Sequence, residues 1–155
     1  MTPGATEETA DSISLEKIDA IIESLSYERY RWKPARRVWI PKKKGKKRLL
    51  GVTTWLDKLL AEVVSMILSA YFEPQFSEHS HGFRPERGCH NALREIYYTW
   101  KGVTWLIDGD ISDRFGALPH DLLLEVLSEK IHDGGFLALM KRLLDAGYLE
   151  HWQFN

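Results

Sequence analysis

Residues 36–52 read RRVWIPKKKGKKRLLGV, and this stretch decides how the chain folds. Pro34 and Pro41 flank Arg36 to Ile40, which argues against a helix there, because proline lacks the N–H and fixes φ. Val38 and Ile40 alternate with Arg37 and Trp39, the period of a strand ending at Ile40. The Lys44-Gly45-Lys46 turn then leads to a second run, Arg48 to Val52. The expectation is a basic β-hairpin.

The charge around this hairpin is segregated. Between Arg29 and Arg48 stand eleven basic residues (Arg29, Arg31, Lys33, Arg36, Arg37, Lys42, Lys43, Lys44, Lys46, Lys47 and Arg48) and no acidic one. The other ten basic residues face all 22 acidic ones, so a net charge of −1 conceals a remainder of −12. That is an electrostatic footprint for a polyanion. A solvated lysine-rich turn accounts for three lysines, not for eleven cations without an acid. Tyr30, Trp32 and Trp39 lie among them and are candidates to stack on bases or sugars.

Composition bounds the rest. With 155 residues, 44% hydrophobic and 28% charged, the chain fits one compact domain, or one domain and part of another, and wholesale disorder is excluded. The longest charge-free apolar stretch, Val63 to Phe72, is about half of a bilayer span. The acidic start, MTPGATEETADS, has no apolar core and is no secretory signal. A single cysteine, Cys89, allows neither an internal disulfide nor a cysteine-built zinc site, which fits a reducing, cytoplasmic setting.

Working outward, Leu15, Ile18, Ile21, Ile22 and Leu25 follow helical spacing after an N-cap at Ser14. Thr54-Trp55-Leu56-Asp57 has a capping-box form and opens a second helix with a wide apolar stripe, ending at Glu73-Pro74. A polar loop to Gly88 precedes a third helix marked by Ala92, Leu93, Ile96 and Tyr97. VTWLIDGDI, residues 103–111, reads as a buried strand. Pro119 begins a fourth helix, and Asp133-Gly134-Gly135 separates it from a fifth, Phe136 to Ala146, closed by Gly147. The fold class is α+β, with more helix than strand.

Asp108 and Asp110 share a face of the expected strand, about 7 Å apart by the strand rise. They could anchor a divalent cation that also holds a phosphate, but spacing alone favours a soluble strand-end pair or a turn around Gly109. One strand cannot complete a two-metal site. The six histidines show no zinc-ligand spacing beyond His79-x-His81. Ser80, Cys89 and His90 are not placed as nucleophile and base.

Val38-Trp39-Ile40-Pro41-Lys42, followed by Gly45-Lys46-Lys47-Arg48-Leu49-Leu50-Gly51-Val52, resembles the fingers motif of group II intron reverse transcriptases (IPK, then GKxRPLGIP). Ser80-His81-Gly82-Phe83-Arg84-Pro85 resembles their S-Y-G-F-R-P segment. Trp105 to Ile111, Phe115 and His120 resemble the palm pattern W-x-I-x-G-D-I-x-x-x-F-D-x-x-x-H. Lys130 to Asp133 and Leu144 to Tyr148 continue the likeness, which covers essentially the whole chain.

The resemblance implies a helix-rich α+β fold of reverse-transcriptase fingers with a partial palm. The expected division is a loose tail at 1–13, fingers at 14–102 and the start of the palm at 103–155. It implies RNA-directed DNA synthesis, in which a DNA primer is extended on an RNA template with dNTPs. By position, Asp110 is the first of three catalytic aspartates and holds Mg2+, with the Ile111 carbonyl on the same ion. Phe115 lies under the sugar and excludes a 2′-hydroxyl. Lys42 and Arg48 grip the triphosphate. Arg36, Arg37, Lys43, Lys44, Lys46, Lys47 and Arg84 fall on the nucleic-acid side. Intron RNA is a further expected partner, and a C-terminal polypeptide completing the palm is another.

Departures from the pattern carry expectations too. The family's second and third aspartates belong to a Y-A-D-D segment that this sequence does not contain, and Met1-Thr2-Pro3-Gly4 resembles the middle of the family's N-terminal extension, so both ends read as truncated and the chain alone as inactive. Gly116 stands where the family has Asp, and Leu49 and Thr53 replace prolines that would stiffen the hairpin. Alternatives from other classes are a stand-alone RNA-binding module and a non-functional remnant of a retroelement.

Overall fold

The proline-bounded alternation of residues 35–41 forms a strand, as its period requires. The computed structural model of the chain describes residues 13–41, 45, 47–111, 114–150 and 153–154. Strand β1 (Ala35–Pro41) pairs antiparallel with β2 (Lys47–Val52), from Arg36↔Val52 to Pro41↔Lys47. Gly45, in the connection, has φ +73°, a left-handed conformation that glycine adopts without a Cβ penalty.

Two further strands complete the sheet. β3 (Tyr148–Glu150) runs parallel to β1 in the register Ala35↔Tyr148, and β4 (Gln153–Phe154) returns antiparallel to β3. The order is β2-β1-β3-β4. Neither β3 nor β4 is foreseen in the sequence, because runs of three and two residues carry no period. Gly147, at φ +66°, ends the preceding helix and turns the chain into β3.

Among the described residues, six helices and a 3-10 turn accompany the strands. α1 (Leu15–Ser26) is capped by Ser14, whose hydroxyl accepts from the Lys17 N–H at 3.4 Å. α2 (Trp55–Phe72) runs into the 3-10 turn Glu73–Gln75, where Pro74 halts it. α3 (Cys89–Thr99) and α5 (His120–Ser128) fall where the apolar periodicity places them. α4 (Arg114–Ala117) is a single turn without a sequence signature. α6 (Gly134–Leu144) starts earlier than its apolar stripe, because the Asp133 carboxylate caps it by accepting from the Phe136 N–H at 2.9 Å.

The described residues gather in two units, one from the chain start to Ala61 with Phe115 onward, the other Glu62–Arg114. In the first, Trp32, Val52, Leu60, Leu127, Leu139 and Met140 are buried. Each such side chain contributes roughly 1.5–3 kcal/mol through its removal from water. Trp32 joins strand and helix layers directly, its indole N–H donating to the Leu139 carbonyl at 3.1 Å. A polar knot lies beside it. Thr54 and Asp57 are each only 2% exposed. The Thr54 hydroxyl donates to Asp57 Oδ2 at 2.6 Å and accepts from the Asp57 N–H at 3.3 Å. Thr54 therefore caps the helix as the sequence suggests, but Asp57 answers to its hydroxyl and not to its N–H, and also accepts from the Tyr30 hydroxyl at 2.8 Å and the Lys33 N–H at 3.3 Å.

One element departs from expectation. Residues 103–111 form no strand and lie exposed, Trp105 at 88% and Ile107 at 97%. A strand's N–H and C=O groups need a neighbouring ladder, and among the described residues none pairs with this segment. No helix among the described residues is long and apolar enough to cross a membrane.

Candidate nucleic-acid interface

Directly paired residues of an antiparallel ladder share a face, and neighbours along a strand alternate. The β1–β2 register therefore sorts the hairpin. One face carries Arg36, Val38 and Ile40 with Arg48, Leu50 and Val52; the other carries Arg37, Trp39 and Pro41 with Lys47, Leu49 and Gly51.

The second face is engaged within the protein. The Arg37 guanidinium lies 3.2 Å from the centre of the Tyr148 ring, and its Nη1 is 3.6 Å from Glu150 Oε2. The Trp39 indole N–H donates to Glu150 Oε1 at 3.3 Å. Arg37, expected among the nucleic-acid contacts, is thus held by β3. The first face presents Arg48, exposed, and Arg36, half-buried. They are separated by four residues along the ladder, about 14 Å by the strand rise, enough to meet an extended polyanion at two points.

The aromatic residues of the basic block are not a stacking platform. Trp32 is in the core. Tyr30 spends its hydroxyl on Asp57, and burial, then the Asp57 hydrogen bond and charge, push its pKa far above the usual tyrosine range. Of the three, Trp39 alone is exposed, and its indole N–H is committed to Glu150. Hydrophobicity outranks neighbouring charge here, because a tryptophan flanked by cations still buries a large apolar area.

Lys42, Lys43, Lys44 and Lys46 lie outside the described residues; Lys47 is exposed beside them. Asp110 and Ile111 are exposed in the unpaired segment, Asp108 with them. Phe115 falls within α4, and nothing beyond its backbone is described. Among the described residues no group of three or more His, Cys, Asp or Glu side chains converges as a metal site. The carboxylates present do not close one by themselves, so no chemical step follows from them alone.

Arg84 proves to be the pin of its loop. Its side chain is 8% exposed. Nε donates to Glu73 Oε1 at 2.9 Å, Nη1 to the Ser77 and Ser80 carbonyls at 2.6 and 3.0 Å, and Nη2 to the Glu73 carbonyl at 3.4 Å. With Nη2 also 2.9 Å from Glu73 Oε1, the guanidinium directs all five N–H groups into its own loop and shapes it. It supports Phe83, fully exposed at φ +57°. On the far side of the loop, Glu95 of α3 clasps two histidines, Oε1 to His79 Nδ1 at 2.5 Å and Oε2 to His81 Nε2 at 2.7 Å. The hydrogen bonds from His81 and then His79 hold the Glu95 carboxyl below the usual range. Sequence reasoning misses this clasp, although His79-x-His81 is its visible half. It also misses Tyr148 and Glu150, whose signal is an i, i+2 pair directly after a helix-ending glycine.

The cationic hairpin forms half of the four-stranded mixed sheet. Residues 40–152 match the family model described as reverse transcriptase (RNA-dependent DNA polymerase). The chain belongs to that family. It is 46% identical over 149 residues to an uncharacterized 91 kDa protein in the cob intron of Schizosaccharomyces pombe, covering 96% of this chain and 18% of that protein. It is 44% identical over 155 residues to the group II intron-encoded protein LtrA of Lactococcus lactis subsp. cremoris, covering 99% and 26%. A putative COX1 intron 1 protein of Saccharomyces cerevisiae is 39% identical over 150 residues, covering 97% and 18%. The chain thus spans about a fifth to a quarter of the length of these relatives.

Proposed function

We propose that the chain is the nucleotide- and template-handling part of a group II intron-type RNA-directed DNA polymerase, with fingers at 14–102 and the start of the palm at 103–155. The observation that carries this reading is the placement of Arg36 and Arg48 on one hairpin face, while Arg37 on the other is held by Tyr148 and Glu150 of the neighbouring strand β3. Charge-assisted hydrogen bonds from such arginines suit a triphosphate or a phosphodiester backbone. Arg48 and Lys42 take the dNTP triphosphate, and when no dNTP is bound Arg48 meets the primer-template backbone. Arg36 and Lys43, Lys44, Lys46 and Lys47 face the RNA template and DNA primer, with intron RNA as the parent element's further ligand. Arg84 acts by shaping the template-side loop.

Asp110 through its carboxylate and Ile111 through its carbonyl would hold a Mg2+ ion, which would supply positive charge against the triphosphate, and Phe115 would lie under the sugar. The remaining ligands come from a polypeptide carrying the Y-A-D-D segment, which also supplies strands to pair with residues 103–111. The exposed apolar side chains of that segment support this. Primer extension on an RNA template tests it. The chain alone is expected to extend nothing. Extension should follow addition of a polypeptide with the missing segment and vanish with Asp110→Ala. Failure of every such combination would remove the polymerase reading.

A further inference from the structure

We infer that Glu150 is a positioning residue that latches Arg37 of the basic hairpin to β3 and withholds it from phosphates, so that a polyanion is met by the hairpin's other cations. This rests on the nucleic-acid-binding reading of the hairpin.

The geometry follows from two i, i+2 pairs. Arg37 and Trp39 share a face of β1, and Tyr148 and Glu150 share a face of β3. The parallel register Ala35↔Tyr148 brings the pairs together. Glu150 then uses both carboxylate oxygens, Oε1 for the Trp39 indole and Oε2 for Arg37. Tyr148 covers the guanidinium at 3.2 Å. Arg37 is therefore stacked and charge-paired at once, with about a quarter of its side chain exposed. To touch a phosphate it must leave both partners. Glu150 lies 111 residues away in the sequence from Trp39, so the latch ties the hairpin to a distant segment and not to its own turn.

The test is binding of a labelled RNA–DNA primer-template to the full chain, followed by anisotropy across a salt series. Each phosphate that a cation neutralises adds about 0.9 to the slope of log K against log salt. Arg48→Ala is expected to flatten the slope by that amount, and Arg37→Ala to leave it unchanged. Glu150→Gln keeps an oxygen for the indole but removes the charge. It is expected to tighten binding and steepen the slope by about 0.9, and the Arg37→Ala/Glu150→Gln double variant to reverse both. Arg37→Ala acting like Arg48→Ala, or Glu150→Gln without effect on the slope, would overturn the latch.

A second measurement needs no nucleic acid. The Arg37 Nη–H groups, of which Nη1 faces Glu150 Oε2, should give resolved, slowly exchanging 15N NMR signals in the free chain that disappear in Glu150→Gln. A signal indifferent to Glu150→Gln overturns the inference. If Arg48→Ala and Arg36→Ala both leave binding intact, the front-face reading fails, and the NMR comparison decides the latch by itself.

Discussion

Arg36 and Arg37 are neighbours in the chain and opposites in the structure: Arg36 stands across from Val52, whereas Arg37 stands across from Gly51 with its guanidinium over Tyr148. A run of basic residues is thereby split between the two faces of the ribbon, with Arg37 held by Tyr148 and Glu150 of the adjoining strand. The split is a consequence of strand period and of the register of β3 beside β1.

Arg48→Ala should weaken primer-template binding at low salt several-fold, the scale of a single charge-assisted hydrogen bond, roughly 1–2 kcal/mol. Lysine at this position should restore only part, because it cannot reproduce a bidentate fork. Anisotropy titrations of the two variants check this. Equal binding by Arg48→Ala and the parent would remove Arg48 from the interface.

Asp57→Ala should be the most destabilising polar substitution in the first unit. It removes an acceptor that is only 2% exposed and strands the Tyr30 hydroxyl, the Thr54 hydroxyl and the Lys33 N–H. The expected loss is roughly 2–4 kcal/mol, read by denaturant unfolding. Tyr30→Phe should cost clearly less, because it leaves the hydrogen bonds of Thr54 and Lys33 in place.

Acid should loosen the second unit through Glu95. Its carboxyl is held below the usual range by His81 and His79, so the folded state binds its proton less tightly than the unfolded state. The contribution is fully present above the ordinary glutamate value and is lost as pH falls through the lowered one. In Glu95→Gln this acid-side loss of protection should disappear from hydrogen-exchange profiles of residues 77–95. An identical profile in the variant would show that the clasp contributes nothing.

Alkali should act on the first unit with the opposite sign. Tyr30 has its pKa raised, chiefly by burial, so the folded state holds the proton more tightly. Stability from this group is present below a pH of about 10, the ordinary tyrosine value, and falls as pH rises beyond it. Thermal melts of the parent and Tyr30→Phe at increasing pH should converge. Parallel curves would contradict the assignment.

Ile107→Lys should leave unfolding within about 0.5 kcal/mol of the parent, since the side chain is 97% exposed and buries nothing. Self-association should fall, because the segment around it presents Trp105 and Leu106 as well. Light scattering and melting together check both halves. A large loss of stability would mean that the segment is packed in solution.

What the sequence discloses is what its neighbours in the chain enforce. Ser14, Thr54 with Asp57, and Pro74 mark helix ends by local hydrogen bonding and sterics, and all three are visible in advance. The hairpin is visible for the same reason, since its alternation and its turn are contiguous. Residues 103–111 mislead because a strand is a property of two segments, and its pattern records only one. Trp32 misleads in the other direction, its cationic flanks hiding a core position. Arg37 and Arg84 read as phosphate ligands because sequence shows a charge but not its nearest carboxylate, Glu150 in one case and Glu73 in the other.

The parallel pairing of β1 with β3 also sets an order of events during synthesis. The hairpin closes between residues only a short loop apart and belongs to the fast, microsecond class of folding steps. β1 gains its other neighbour only after more than a hundred further residues have been made, as the Trp39–Glu150 separation of 111 shows. Until then one edge of β1 is bare, with Arg37 unstacked and unpaired. On the proposed nucleic-acid reading, a nascent chain stalled before Tyr148 would have Arg37 open to a phosphate as well, and the arrival of β3 would withdraw it.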